Sequence, residues 1–257
     1  MRFKLFLRKA IKAVLPYGML VLYRRFKKQK LVKASYGNSP KNYCPICQKT
    51  GYFEPFGIIQ RPKAQCPHCG SLERHRLLWL FLQKHTDIFS KNNKKILHVA
   101  AEPCFKKCFK KLHLKNYITA GLKDPSALVK MDITDIQYPN ETFDIIICNH
   151  VLEHIIDDIK AMSELNRVLK SNGWAVLLVP VATDMEKTYE DNSITTEAGR
   201  LKAFGQSDHV RQYGKDYVDR LKSVGFNVKI FGSEELTDEE GIKNMSLDVE
   251  NIYYCEK

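Results

Sequence analysis

Over residues 95–257, short apolar runs of strand length alternate with segments of helical period. The clearest run is Phe143–Cys148, which is rich in isoleucine and gives way to the polar Asn149 and His150. Pro103 is well placed to open a helix after the first run, because a proline lacks the N–H that is unpaired there anyway. The predicted strands span 95–101, 117–121, 128–132, 143–148, 174–179, 226–231 and 251–256, and the predicted helices lie near 103–111, 155–169 and 214–224. This order predicts a parallel βαβ sheet of the α/β class, with the functional site at the carboxyl ends of the strands.

Three connections in this region carry predictions of their own. The last two strands, joined by the acidic loop 234–240, should form a terminal hairpin. The insertion 182–207 is long enough to form a lid. Gly173 is placed as the turn between a helix and the next strand.

The N-terminal segment has an amphipathic pattern. At helical period, residues 2–14 place their apolar side chains on one side and five Lys or Arg on the other, with Leu5 as the exception. The apolar run 13–23 is too short to span a bilayer and contains a proline and a glycine. The pattern favours a helix that lies on a membrane surface; a signal peptide, a disordered basic tail and a helix packed on the protein itself are the alternatives.

Four cysteines form two Cys-x-x-Cys pairs, which are separated by eighteen residues. This spacing is typical of zinc ribbons, and four thiolates complete a tetrahedral shell with no open position, so the predicted zinc is structural. The predicted metal ligands are Cys44, Cys47, Cys66 and Cys69. His68 is expected to face solvent, and Ser71 to cap a helix that ties the ribbon to the following domain.

The net charge of +12 is concentrated at the N-terminus. Residues 1–53 contain thirteen Lys and Arg and no acid, so the remainder holds 41 − 13 = 28 basic residues against 29 acidic ones. A basic N-terminal segment followed by a nearly neutral remainder of the chain suits attachment to an anionic surface better than nucleic-acid binding. The predicted domains are a basic amphipathic segment (1–38), a zinc ribbon (39–71) and an α/β domain (72–257).

Four stretches of the α/β domain carry a family resemblance. They are Val129–Asp135, Phe143–Asp144, Asn149–His154 and Glu164–Lys170 followed by Gly173. Together they resemble the Rossmann-like S-adenosylmethionine-dependent methyltransferases of the type 11 group. The segment Asp208–Gly214 resembles a part of bacterial relatives that also carry a Cys-x-x-Cys pair, so the resemblance extends over residues 40–257. It implies a seven-stranded methyltransferase sheet and S-adenosylmethionine as cofactor.

The resemblance also implies a set of cofactor-binding positions. Asp132 is placed against the adenine amino group, with the backbone N–H of Ile133 on the ring, although Asp132 could instead only cap the turn at Thr134. Two positions depart from the family: Ala100, Ala101 and Glu102 replace the glycine-rich loop, and Gly121 replaces the acid that binds the ribose. Glu102 or Asp124 substitutes for that acid, or cofactor binding is weakened or lost. Asn149 completes the set beside the sulfonium methyl.

Three further residues are candidates for catalysis. His150 could be the general base that deprotonates an acceptor hydroxyl; packing beside the cofactor is the alternative. His209, Arg211 and Tyr213 alternate, so an extended segment would point them to one side. Arg211 could bind a phosphate or carboxylate of the acceptor and His209 lie beside it, unless the segment is an ordinary surface loop.

These observations lead to one function and two alternatives. The leading hypothesis is a bacterial methyltransferase that methylates a hydroxyl of a small molecule or surface-glycan intermediate. It would work in the cytoplasm, peripherally on the inner face of the cell membrane. The alternatives are a scaffold whose cofactor site has decayed and an RNA methyltransferase, the latter disfavoured by the nearly neutral remainder of the chain.

Overall fold

The computed structural model describes residues 17–90, 93–112, 116–247 and 250–257, with the backbone alone over residues 17–25. The predicted amphipathic helix over residues 2–14 lies outside the described residues. No helix in the described part of the chain combines the length and the apolar character that crossing a bilayer requires.

The first described element, α1 (Tyr17–Tyr36), ends against a small four-stranded unit. This unit consists of two antiparallel pairs, β1 (Asn42–Cys44) with β2 (Lys49–Gly51) and β3 (Glu54–Phe56) with β4 (Arg61–Gln65). Tyr36 is buried, and its hydroxyl donates to Asn42 Oδ1 at 2.8 Å and accepts from the backbone N–H of Phe53 at 2.8 Å. The C-terminal part of α1 is therefore a helix packed on the protein itself.

The helix α2 (Glu73–His85) joins this unit to the main sheet. Ser71 does not cap it, because the Ser71 hydroxyl lies 3.3 Å and 3.2 Å from the sulfurs of Cys44 and Cys69. Leu72 is the N-cap instead, and its backbone N–H donates to His75 Nδ1 at 3.0 Å. The predicted helix is thus confirmed, and its predicted cap is wrong.

Seven strands form the main sheet, in the order β12-β13-β9-β8-β5-β6-β7. Their bounds are β5 (Ile96–Val99), β6 (Tyr117–Gly121), β7 (Val129–Lys130), β8 (Phe143–Asn149), β9 (Leu169–Leu178), β12 (Asn227–Phe231) and β13 (Ile252–Glu256). β9, β8, β5, β6 and β7 run parallel, whereas β13 is antiparallel to both its neighbours. The strand order switches between β5 and β8, which is where a ligand binds in sheets of this kind.

Helices and a short hairpin complete the α/β fold. They are α3 (Pro103–Lys111), α4 (Asp158–Val168), β10 (Tyr189–Glu190), α5 (Glu197–Phe204), β11 (Arg211–Gln212), α6 (Tyr217–Ser223), α7 (Ser233–Leu236) and α8 (Glu239–Met245), with a 3-10 turn at Leu152–His154. The isoleucines of β8 are fully buried and lie at the centre of the hydrophobic core. The seven-stranded α/β fold is confirmed.

Two local predictions differ from the structure. β9 begins at Leu169 rather than at 174, so Gly173 lies inside a strand, where a Cβ would come within 2.8 Å of the Asp144 carbonyl oxygen. β12 and β13 do pair as a hairpin, but their connection contains α7 and α8 rather than a simple loop. Glycine is required at 173 for close backbone approach, not for a turn.

Candidate functional site

The site is built at the carboxyl ends of β5, β6 and β8. Ala100 follows β5 with φ = +48°, a left-handed conformation that favours glycine, and its N–H donates to the Ala120 carbonyl at 2.7 Å. The backbone therefore turns where a glycine-rich loop turns, although alanine occupies the position. The methyl groups of Ala100 and Ala101 leave space for a ligand to approach this turn.

Glu102 lies at the start of α3 and belongs to a buried chain of hydrogen bonds. The Tyr117 hydroxyl lies 2.9 Å from His98 Nδ1, and His98 Nε2 lies 2.9 Å from Glu102 Oε2. Asn149 Nδ2 donates to Glu102 Oε1 at 3.2 Å. Burial raises the pKa of Glu102, but the hydrogen bond and electrostatic influence of His98 outweigh it and lower the pKa to about 2. A carboxylate anion is therefore fixed beside the tip of β5.

Gly121 occupies the position at the end of β6 where the family resemblance leads us to expect a ribose-binding acid. A side chain at Gly121 would meet the Cβ of Asp124 at 3.2 Å, so Asp124 lies next to this position. The Asp124 carboxylate accepts from Lys106 Nζ at 2.9 Å and from Ser126 Oγ at 2.6 Å. Of the two substitutes predicted from the sequence, Asp124 lies at Gly121, whereas Glu102 turns towards His98 and Asn149.

Asp132 is exposed just after β7, and its Oδ1 accepts from the backbone N–H of Thr134 at 2.9 Å and from the Thr134 hydroxyl at 2.8 Å. The turn-capping alternative is thus realised. Adenine recognition by Asp132 and the neighbouring Ile133 stays a prediction, because one carboxylate can serve both partners.

His150 follows β8 with φ = +52° and lies between two acids. Its Nδ1 is 3.4 Å from Glu153 Oε1, and its Nε2 is 3.6 Å from Glu250 Oε2. Burial lowers the pKa of His150, but the two carboxylates outweigh it and raise the pKa to about 9. Because both ring nitrogens face carboxylates, the arrangement gives His150 a positioning role here rather than that of a base. Asn149 Oδ1 is buried and has no hydrogen-bond partner in the described part of the chain.

His209, Arg211 and Tyr213 are all buried around β11, but Val210 between the first two is buried as well, so the burial does not follow the predicted alternation. Arg211 donates to the carbonyls of Leu152, Ile155 and Ile156 and to Glu190 Oε2. These bonds use all three of its nitrogen atoms. The guanidinium therefore holds the β10–β11 pair against the turn after β8. In this structure it is not available to an acceptor anion.

His209 precedes Arg211 by two residues in the sequence, and Tyr213 follows it by two. The Tyr213 hydroxyl donates to Asp158 Oδ2 at 2.7 Å, at the start of α4. His209 packs edge-to-face on His154, with ring centroids 4.8 Å apart. A cavity of about 280 Å³ adjoins His209 and the segment Pro180–Ala182 that follows β9.

The four predicted zinc ligands converge in the N-terminal unit. Their sulfurs all lie within 4.8 Å of one another, with Cys44–Cys69 at 3.6 Å and Cys47–Cys66 at 3.8 Å. Four thiolates around zinc with bonds of about 2.3 Å are about 3.8 Å apart, so the spacing fits a tetrahedral ion. His68 is exposed and lies outside this set.

Several residues of the site were not predicted from the sequence. His75, Glu153 and Glu250 are brought to the strand tips by α2, by the turn after β8 and by the segment before β13. His75 Nε2 is 3.7 Å from Glu102 Oε1, and burial lowers the pKa of His75 to about 4. Glu153 belongs to the Asn149–His154 stretch that carries the family resemblance, the sequence left open whether His75 faces solvent or the site, and Glu250 reaches the site only through long-range contacts.

Solved methyltransferase structures resemble this chain at low identity. They include an S-adenosylmethionine-dependent enzyme from Archaeoglobus fulgidus (12% identity, TM-score 0.46, 73% of this chain and 95% of the other) and one from Mesorhizobium loti (12%, 0.43, 65% and 92%). A third is an N-methyltransferase of Haemonchus contortus in complex with S-adenosylhomocysteine (12%, 0.43, 71% and 53%). At these scores the likenesses carry no functional argument.

Sequence comparison gives a direct assignment for the central part of the chain. No curated protein gives a significant match. The family profile described as "Methyltransferase domain" matches residues 85–177, which contain β5 to β8, most of β9 and the cofactor-loop positions. By this match, residues 85–177 form a methyltransferase domain.

Proposed function

We propose that the protein transfers a methyl group from S-adenosylmethionine bound at the tips of β5, β6 and β8. The observation that carries the proposal is the Glu102 carboxylate, which is 15% exposed and held as an anion beside Asn149. S-adenosylmethionine carries an ammonium and a sulfonium, and a partly buried anion is complementary to such a cationic ligand. The match to a methyltransferase domain supports the same cofactor.

The residues present fit this cofactor. The unpaired Asn149 Oδ1 could accept from its ammonium, and the small Ala100 and Ala101 let the backbone approach it. Asp132 and the backbone N–H of Ile133 would bind the adenine. Asp124, next to Gly121, would replace the missing ribose-binding acid.

The cofactor supplies an activated methyl group on sulfur, and the chain's contribution is mainly to hold the two reactants in line. We propose that the acceptor is a hydroxyl of a small molecule or surface-glycan intermediate, in the cavity beside His209. The basic residues 1–53 favour peripheral contact with an anionic membrane, on the cytoplasmic face of a bacterial cell.

We further propose that Cys44, Cys47, Cys66 and Cys69 hold a structural zinc ion, on the sulfur spacing described above. A closed shell of four thiolates leaves no position for a substrate, so this ion would stabilise the ribbon and take no part in the reaction.

Isothermal titration calorimetry with S-adenosylmethionine tests the cofactor proposal. We expect binding to wild type, weakened about 10-fold to 100-fold in Glu102→Gln, which keeps the size but removes the charge. Glu186→Gln, which removes an exposed carboxylate, is the matched control and should bind like wild type. No binding at millimolar cofactor would instead support the decayed scaffold, for which the absent loop glycines and Gly121 are the specific observations.

Acceptor identity needs a separate measurement. Glycans from a strain that lacks the gene should have lost a methyl ether, and an unchanged glycan profile would exclude this acceptor class. Strong, salt-sensitive RNA binding by a chain without residues 1–38 would favour the RNA methyltransferase instead.

A further inference from the structure

A second group of metal-binding side chains lies next to the tip of β8, apart from the four cysteines. Glu153 and His154 belong to the 3-10 turn Leu152–His154, and His209 precedes β11. One ligand atom from each lies within 4.8 Å of the other two. The backbone N–H of Val210 donates to the Glu153 carbonyl at 2.9 Å, which fixes the two segments to each other.

Glu153 has a buried carboxylate oxygen without a hydrogen-bond partner in the described part of the chain. Its side chain is 1% exposed, and His150 Nδ1 lies 3.4 Å from Oε1. The other oxygen, Oε2, is the unpaired one. An unpaired carboxylate oxygen away from water is costly, and a cation beside it would remove that cost.

Both histidines are oriented as metal ligands are. Nδ1 of His154 lies 3.2 Å from the backbone carbonyl oxygen of Asp208, so an N–H at Nδ1 leaves the lone pair on Nε2. Metal-binding histidines usually donate their second N–H to a carbonyl or carboxylate in this way. The ring of His209 packs edge-to-face on His154, and one of its nitrogens lies within 4.8 Å of ligand atoms of both Glu153 and His154.

We propose that Glu153, His154 and His209 bind one divalent transition-metal ion. Two nitrogens and a carboxylate suit Zn²⁺ and similar ions, with bonds of about 2.1 Å. Around a tetrahedral ion such donors are about 3.4 Å apart, a separation inside the 4.8 Å within which the three ligand atoms lie. Three protein ligands leave a position open, unlike the closed shell of four cysteines.

The open position gives the ion a function at the acceptor side, a step that rests on the proposed function. His209 lines the cavity that adjoins Pro180–Ala182, so a hydroxyl bound there could reach the ion. A metal ion lowers the pKa of a bound hydroxyl, whose proton passes to solvent. The oxygen then forms a bond to the methyl carbon while the carbon–sulfur bond breaks, and the electron pair stays on sulfur as a neutral thioether. This assigns the activation to an ion rather than to His150.

Cobalt binding to the full chain tests the site without any enzymatic reaction. Metal-free protein is first given one equivalent of Zn²⁺, which the four thiolates bind most tightly, and Co²⁺ is then added, so that thiolate-to-cobalt charge transfer is not expected. We expect one equivalent of Co²⁺ with visible bands of nitrogen and oxygen ligation, and about 100-fold or more weaker binding in Glu153→Gln and His209→Ala. His85→Asn, which removes an exposed histidine on α2, is the matched control and should bind Co²⁺ like wild type.

The outcomes separate this proposal from the others. Wild type that binds no Co²⁺ in this way, or variants that bind as tightly as wild type, would overturn it. If the buried Glu153 or His209 variants do not fold by circular dichroism, His154→Ala replaces them, because that side chain is 31% exposed. Calorimetry with S-adenosylmethionine on the same samples distinguishes failure of the metal site from failure of the methyltransferase proposal.

Discussion

Replacing Arg76 by methionine should destabilise the protein more than any other single change of a charged residue on α2. The side chain is fully buried and donates to four backbone carbonyls: Ala64 and Ser71 of the ribbon at 3.0 Å each, Met245 at 2.7 Å and Ser246 at 2.6 Å. Its guanidinium also lies over the Phe53 ring, 4.6 Å from the centroid.

The magnitude follows from these contacts. Hydrogen bonds from a charged donor contribute about 1.5–3 kcal/mol each, so four give about 6–12 kcal/mol as an upper limit. Contributions of neighbours are not additive, and removal of one partner from a buried charged network typically costs about 3–5 kcal/mol. We expect that loss in Arg76→Met, which corresponds to a Tm lower by roughly 6–20 °C for a chain of this size. Arg76→Lys keeps the charge but cannot reach both pairs of carbonyls, and should recover less than half.

Urea unfolding followed by tryptophan fluorescence measures the effect. Trp79 lies on α2 near the ribbon, and Trp174 lies in β9 of the main sheet, so the two report on different parts of the chain. Arg74→Met is the control, because it removes a guanidinium from the same turn of α2 but none of these four bonds; it should cost less than about 1 kcal/mol. An Arg76→Met protein within 0.5 kcal/mol of wild type would refute the reasoning.

Four further predictions follow from individual contacts. As the pH falls from 6.5 to 4, wild type should lose up to about 3 kcal/mol of unfolding free energy. The pKa of His75 is about 4 in the folded protein and about 6.5 in the unfolded chain, so the unfolded chain binds the proton first and is stabilised relative to the folded protein. Urea unfolding should show a flatter pH profile for His75→Asn, which keeps an acceptor for the Leu72 N–H; an equal profile would exclude His75 as the cause. Asp132→Asn keeps the turn but presents an amide to the adenine, so calorimetry should show cofactor affinity weaker by about 1–3 kcal/mol at unchanged Tm; a fall in Tm alone would leave only the turn role. Arg211→Met should lower Tm by several degrees and leave the acceptor KM of any folded enzyme nearly unchanged, whereas a rise in KM alone would restore the anion-binding role predicted from the sequence. Cys44→Ser should give insoluble protein, because so small a ribbon cannot fold without its metal; soluble, cofactor-binding Cys44→Ser protein without zinc would contradict this.

The parts of the fold that could be predicted are those fixed by local pattern. The β8 strand is a run of buried isoleucines, and α3 begins at Pro103 as its missing N–H predicts. β9 was placed too late, because the requirement for glycine at 173 comes from the Asp144 carbonyl on a neighbouring strand. Local pattern does not contain that contact.

For the site, too, local pattern located residues along the chain but could not predict their long-range contacts. The alternation of His209, Arg211 and Tyr213 indicated a segment worth attention, but Val210 is buried with them, and alternation could not show that backbone carbonyls and Glu190 would surround the guanidinium of Arg211. His150 was correctly placed at the tip of β8. Its partner Glu250 is one hundred residues away in sequence, and so the surroundings of its ring could not be predicted.

The contacts of Arg76 give the N-terminal ribbon a physical connection to the strand tips. Arg76 ties two ribbon carbonyls to those of Met245 and Ser246 at the end of α8, and Glu250 follows four residues later and faces His150 Nε2 at 3.6 Å. His150 in turn faces Glu153, whose second oxygen is the unpaired one. Arg76 therefore fixes the position of the ribbon relative to the segment that precedes Glu250, and Glu250 and His150 lead on to Glu153. This explains why a unit with a closed four-thiolate set can matter to the site without providing any group that touches a reactant.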